Sequence, residues 1–313
     1  MLKNITPFLL AIVIPTAAVS MDKLADETDK IAADHLSLLH NAFDLKSNPH
    51  THQILHPTKN QFTVQNIDKN DWTFYSIFDD NTHRPPNIDA DLMGMLGCSP
   101  SRNTISITYR FTQQTSHWGK DLREGRSIVN KNEQNYPLHS GFFCLFENSK
   151  KSLYQAIGFA FERIPQERKE IMRFICSGHG MGGAVATNAA FELADKFAPG
   201  KISLRTFSSP PAMTSKANEW MKMHKINAKA FSLKTDPLVY ELKKYSDLSP
   251  TGTPIIIPSI RRHDSPPSPH DMGWYQLFIY DKLDIINMWS HFQLDYTPFS
   301  IILTEPCKLM CAL

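Results

Sequence analysis

Four glycines crowd one short stretch, Ser177-Gly178-His179-Gly180-Met181-Gly182-Gly183-Ala184, between an apolar run at 171–177 and a helix-forming run at 184–197. Glycine weakens both strands and helices, so a cluster at a junction marks backbone that must turn sharply or pass close to other backbone. The segment therefore predicts a strand feeding directly into a helix through a tight turn. Few folds use that unit, and most are built on a parallel sheet with helical crossovers.

Two site geometries share this signature. In a nucleophile elbow the reactive residue sits at the tip of the turn, and the residues two before and two after it must be small because their Cβ atoms would collide. Gly178 and Gly182 fill those two places, which puts Gly180 where the nucleophile belongs. The turn is complete and its reactive group is missing. The rival is the dinucleotide fingerprint G-x-G-x-x-G, met by Gly178, Gly180 and Gly183. It needs a carboxylate at the end of the next strand to hold a ribose hydroxyl. That strand, 203–207, runs instead into Ser208-Ser209-Pro210-Pro211.

Hydrophobic periodicity predicts the other elements. Residues 22–45 carry apolar side chains at helical spacing (Leu24, Ile31, Leu36, Leu39, Phe43). Residues 47–100 are rich in His, Asn, Asp and Pro and are expected to be mostly irregular, with a short apolar piece at 72–78. Strands are expected at 104–110, 171–177, 202–207, 228–233 and 254–260, and helices at 141–163, 184–197 and 216–223. Strands alternating with helices predict an α/β fold, a central and mostly parallel sheet with helices on both faces.

The 313 residues suffice for one large core, and a net charge of +2 with scattered basic residues gives no case for a nucleic-acid partner. Residues 1–20 differ from the rest. Lys3 precedes an apolar run at 7–19, and Ala18-Val19-Ser20 offers small residues at a cleavage site, the pattern of a secretory signal peptide. An attached hydrophobic helix is the alternative. The domain division expected is 1–20 signal peptide, 21–100 an N-terminal helix and irregular segment packed on the core, and 101–313 the core with its tail. Of five cysteines, Cys144 and Cys176 lie in apolar stretches that read as core, Cys98 in a glycine-rich loop, and Cys307 and Cys311 near the end. Without a CxxC pair or neighbouring histidines they do not suggest a metal site, and no motif calls for a cofactor.

Beyond the elbow, residues 101–276 resemble the class 3 (fungal-type) lipases, members of the α/β-hydrolase fold. That family has an Arg-Gly-Thr/Ser turn, matched by Arg110-Phe111-Thr112, then a Trp-x-x-Asp/Asn-Leu segment, matched by Trp118-Gly119-Lys120-Asp121-Leu122. His139-Ser140-Gly141-Phe142 matches its His-x-Gly-Phe step. Its elbow, Gly-His-Ser-Leu/Met-Gly-Gly-Ala, appears with Gly180 for serine. Thr206-Phe207-Ser208-Ser209-Pro210 stands for Thr-Phe-Gly-x-Pro, and Asp236-Pro237-Leu238 for Asp-Pro-Val. Phe111 and Gly180 are the departures that touch the chemistry.

The resemblance implies a catalytic set in the order nucleophile, acid, base. Gly180 takes the nucleophile position, Asp236 the acid, and His270 the base, with His263 and then His291 behind it. The oxyanion hole falls to Met181 N–H and Thr112, and Trp118 to the lid region that meets a lipid surface in the family; a tryptophan packed on the core is the alternative. His179 is expected to support the elbow from below, and Ser177 and Cys176 to point into the sheet faces. The implied ligand is a lipid or ester. Two function classes follow: an ester hydrolase whose serine was replaced, and a natural pseudoenzyme that binds a lipid or protein partner.

Overall fold

A computed structural model of the chain describes residues 26–44, 61–62, 72–79, 92–110, 125–233 and 247–257. Phe111, Thr112, Trp118, Asp236, His263, His270, His291, Cys307, Cys311 and residues 1–25 lie outside these.

Helix α1 (Glu27–Asp44) is followed by strands β1 (Gln61–Phe62), β2 (Thr73–Phe78), β3 (Leu92–Ser99) and β4 (Thr104–Tyr109). A hairpin, β5 (Arg126–Lys131) and β6 (Gln134–His139), leads into the long helix α2 (Ser140–Arg163) and the single turn α3 (Gln166–Lys169). Then come β7 (Arg173–His179), α4 (Met181–Leu193), β8 (Ile202–Phe207), β9 (Met213–Thr214), α5 (Ser215–Met223), β10 (Asn227–Leu233), β11 (Leu248–Ser249) and β12 (Thr253–Ile257).

The main sheet has the order β1-β2-β3-β4-β7-β8-β10-β12. From β4 to β12 every pairing is parallel, while β1, β2 and β3 extend the sheet by antiparallel pairings. The direction of β2 thus agrees with the five parallel strands, and only β1 and β3 oppose it. A smaller antiparallel sheet, β11-β9-β6-β5, lies apart from it.

Side chains alternate across the sheet, as a strand's period of two requires, and sort into two buried clusters. Ile105, Ile107, Phe174 and Cys176 face one way and pack with α2 and α4. Ile175, Phe207 and Phe231 face the other way, in the cluster that contains Ile31, Leu36 and Leu39 of α1. Helices therefore cover both faces. α1 is also fixed by charge: its buried Asp29 pairs with the buried Arg205 of β8, and Lys229 of β10 reaches Asp29 at 2.6 Å and Asp26 at 3.0 Å.

Two expectations need correction, and one element is new. The segment 92–99 is not a loop but strand β3, buried along most of its length. Its two glycines lower strand propensity, yet the neighbouring strands supply the pairing and the cover. Cys98 is accordingly a buried strand residue. Cys144, in contrast, is exposed on α2, because the apolar residues around it turn Phe142 and Phe146 inward and leave position 144 on the outer side. The hairpin β5–β6 adds an element. Asn132 and Glu133 at its turn take φ of 50° and 64°, the two positive values that a two-residue hairpin turn demands.

Candidate functional site

The elbow is built by three neighbouring strands. β7 lies between β4 and β8, and Gly178 is in register with Tyr109 on one side and Thr206 on the other. After His179 the chain turns through Gly180, at φ 55° and ψ −129°, into the first residue of α4. The positive φ costs an L-residue energy that glycine avoids. Gly180 N–H donates to Phe207 O at 2.9 Å, and Gly183 N–H donates back to Gly180 O at 2.9 Å. The turn is therefore pinned to the end of β8 from one side and to its own helix from the other.

The flanking glycines are required by two different walls. A Cβ on Gly178 would stand 2.1 Å from Gly182 O, inside the turn itself. A Cβ on Gly182 would stand 2.4 Å from Arg110 O and 2.5 Å from Tyr109 O, at the end of β4. Both obstacles are backbone and cannot step aside. The first was legible from the motif; the second depends on which strand lies next to β7.

The described side chains around the turn are buried. His179 ends β7, buried and in register with Phe207. Cys176 is fully buried, and burial pushes its thiol up to about 12, so it stays protonated and cannot serve as a nucleophile. Ser177 Oγ lies 3.1 Å from Thr108 Oγ1 across the β4–β7 pair, committed within the sheet. Tyr109, at the end of β4, has its phenol held above the usual range by burial, and Ser149 Oγ approaches its oxygen at 3.4 Å. Met181 is buried and opens α4, a helix with no acidic residue in its first turn and no side-chain cap. The positive end of the helix dipole at the turn is thus not offset by a carboxylate of that turn.

Ser208 follows β8 with φ 52°, donating its N–H to Phe231 O at 2.8 Å. It stands where the resembled motif has glycine, and its positive φ gives the reason for glycine there. His139 precedes α2, stacked on Phe142 at 4.3 Å between ring centres. Burial, and then the charge of Arg126, lower its pKa to about 4, so it is neutral at pH 7. Arg126 in turn donates from Nε to Asp247 at 2.8 Å, joining β5 to the segment that enters β11.

The parallel pairings put the carboxyl ends of β4, β7, β8 and β10 on one edge of the sheet, where open α/β sheets bind their ligands. Gly180 and Met181 sit on that edge. Thr112 follows β4 in the chain and Asp236 follows β10, both outside the described residues, as are His270, His263, His291 and Trp118. The dinucleotide alternative gains nothing: β8 ends at Phe207 and runs into Ser208 and Ser209 without a carboxylate.

Residues 106–239 match the family model "Lipase (class 3)". Solved structures with the same fold include the Rhizomucor miehei lipase propeptide complex, with a TM-score of 0.51 and 15% identity over 74% of this chain and 70% of that one. A lipase from Rhizopus microsporus var. chinensis has a TM-score of 0.51 and 16% identity over 77% of this chain and 75% of that one. A triacylglycerol lipase described as having a serine protease triad at its catalytic centre has a TM-score of 0.51 and 16% identity over 74% and 82%. Among curated proteins nothing matches. The chain has the α/β-hydrolase fold, and its segment 106–239 matches the class 3 lipase family.

Proposed function

We propose that this chain is a lipase-like carboxylic-ester hydrolase framework that lacks its nucleophile and does not turn over esters as written. The observation that carries the proposal is Gly180 at the tip of a complete strand-to-helix turn, with φ 55° and with glycines where Cβ atoms cannot be placed on either side. In acyl transfer the residue at this tip attacks the carbonyl, a histidine takes its proton, and N–H groups hold the oxyanion. Met181 N–H, at the positive end of α4, is assigned to the oxyanion, with Thr112 beyond the end of β4 as its partner. Asp236, beyond the end of β10, is assigned to orient the base, and His270 to be that base. Trp118 is assigned to the lid region, and a lipid or ester to the pocket it covers.

Glycine supplies no hydroxyl, and the nearby Cys176 and Ser177 are committed inside the sheet. The chain is expected to be exported, with residues 1–20 as the signal peptide, 21–100 as a segment packed on the core and 101–313 as the lipase-like core with its tail. Retention of Asp236, His270 and Thr112 favours a site that worked recently with serine at 180. Phe111, in place of the family's glycine, favours the second reading, a natural pseudoenzyme that keeps the pocket to bind a lipid or a protein partner. The test is turnover of short-chain p-nitrophenyl esters by the unmodified protein. Negligible hydrolysis is expected, and hydrolysis that His270→Ala abolishes would contradict the proposal.

A further inference from the structure

α1 covers the sheet face opposite α2 and α4, and the buried apolar residues divide the same way. Its cluster joins Ile31, Leu36 and Leu39 to Trp72, Phe74, Met95, Ile175, Phe207 and Phe231, separate from the cluster that contains α4. Elements held by distinct clusters can open one at a time. α1 is also held at two polar points of different kinds.

The first is at its amino end. Asp29 and Arg205 are both fully buried and paired, Lys229 bonds Asp26 and Asp29, and Asp29 N–H donates to Asp26 at 3.0 Å. Glu27 pairs with Arg102 at 2.9 Å beside them. Burial raises the Asp26 carboxyl, but the bonds from Lys229 and Asp29 N–H, with the Arg205 charge, outweigh it and hold it below the usual range. This clamp therefore persists in mild acid.

The second point is His35. Its ring is 1% exposed, edge-on to Trp72 at 4.5 Å and to Phe74 at 5.1 Å, and its Nδ1 has no hydrogen-bond partner among the described residues. β3 presents Gly97 to it, close enough that a Cβ there would stand 2.9 Å from Cε1. Trp72 just before β2, Phe74 on β2 and Gly97 on β3 thus meet the imidazole, and none of them carries charge. On α1 the nearest carboxylate in sequence is Asp34, next in the chain.

We propose that α1 is an acid-released cover: protonation of His35 lifts the helix from His35 onward while the Asp26–Asp29 end stays clamped to Arg205 and Lys229. Release uncovers the sheet face that carries Phe207 and Phe231, while α4 stays packed on the opposite face. The sign follows from the burial. With the helix docked, desolvation lowers the imidazole from 6.5 to about 3, while the released helix returns it to its ordinary value. The contribution of neutral His35 is complete above 6.5 and is lost as pH falls toward 3. Each pH unit in that window raises the released-to-docked ratio about tenfold.

Hydrogen exchange of the intact chain, followed by mass spectrometry at about pH 7 and about pH 5 and corrected for intrinsic rates, tests this. The expected result is an at least tenfold loss of protection for amides of α1 from His35 onward, with those of α4 and β7 unchanged. His35→Leu should remove the pH dependence. Protection of α1 that stays flat, or that falls in step with α4, overturns the proposal, as does an unchanged pH dependence in a folded His35→Leu variant. The comparison of α1 with α4 in the unmodified chain needs no variant.

Discussion

Gly178 and Gly182 play one part in the sequence motif and two in the structure. The first is hemmed by the turn's own backbone at 2.1 Å and the second by the end of β4 at 2.4 Å. Gly178→Ala should therefore cost about 3 kcal/mol or more, at the upper end of overpacking, since no flexible side chain can yield. Equilibrium denaturation measures it, and a loss under about 0.5 kcal/mol would show that the turn relaxes. At Gly180 the strain is one of backbone conformation, φ 55° and ψ −129°, and serine there should cost about 1–3 kcal/mol. The requirements at Gly178 and Gly180 were legible in the sequence because they are local; the wall at Gly182 was not, because it is the end of β4. Ser208 was not: its φ of 52° is fixed by β10, through the bond from its N–H to Phe231 O.

Among elements, α1 was legible from its apolar spacing, but its means of attachment was not. Asp29 in isolation is an ordinary first-turn carboxylate, favourable near a helix N-terminus. It is buried because Arg205 meets it from a strand 176 residues further along the chain. Asp29→Ala leaves a fully buried guanidinium without its main partner, and should destabilise the protein by about 3 kcal/mol or more. Asp29→Ala unfolding at wild-type denaturant concentration would show that Asp26 and the carbonyls of Leu204 and Asn227 suffice to hold Arg205. The hairpin β5–β6 escaped notice for a different reason. Its Asn132-Glu133 turn takes the positive φ values usually signalled by Asn-Gly, and glutamate gives no such signal. Strand β3 escaped because glycine and cysteine at 94, 97 and 98 dilute the apolar pattern that its neighbours complete.

At the scale of the whole molecule, the alternation of strands and helices from β4 onward made the parallel half of the sheet legible. The antiparallel half depends on pairings between 61 and 99, which no local pattern specifies. The sheet matters to function because it places the ends of β4, β7, β8 and β10 along one edge, with Gly180 between the strands that lead to Thr112 and Asp236. If that edge is a hydrolase site lacking only its nucleophile, one hydroxyl should restore it. The direct measurement is ester turnover by Gly180→Ser, alone and combined with Asp236→Ala or His270→Ala, on several acyl lengths. The account predicts that Gly180→Ser gains hydrolysis over the unmodified chain by at least about 10³-fold and that either second change removes most of the gain. A folded Gly180→Ser protein that stays inert on every ester would contradict it and leave the pocket as a binding site.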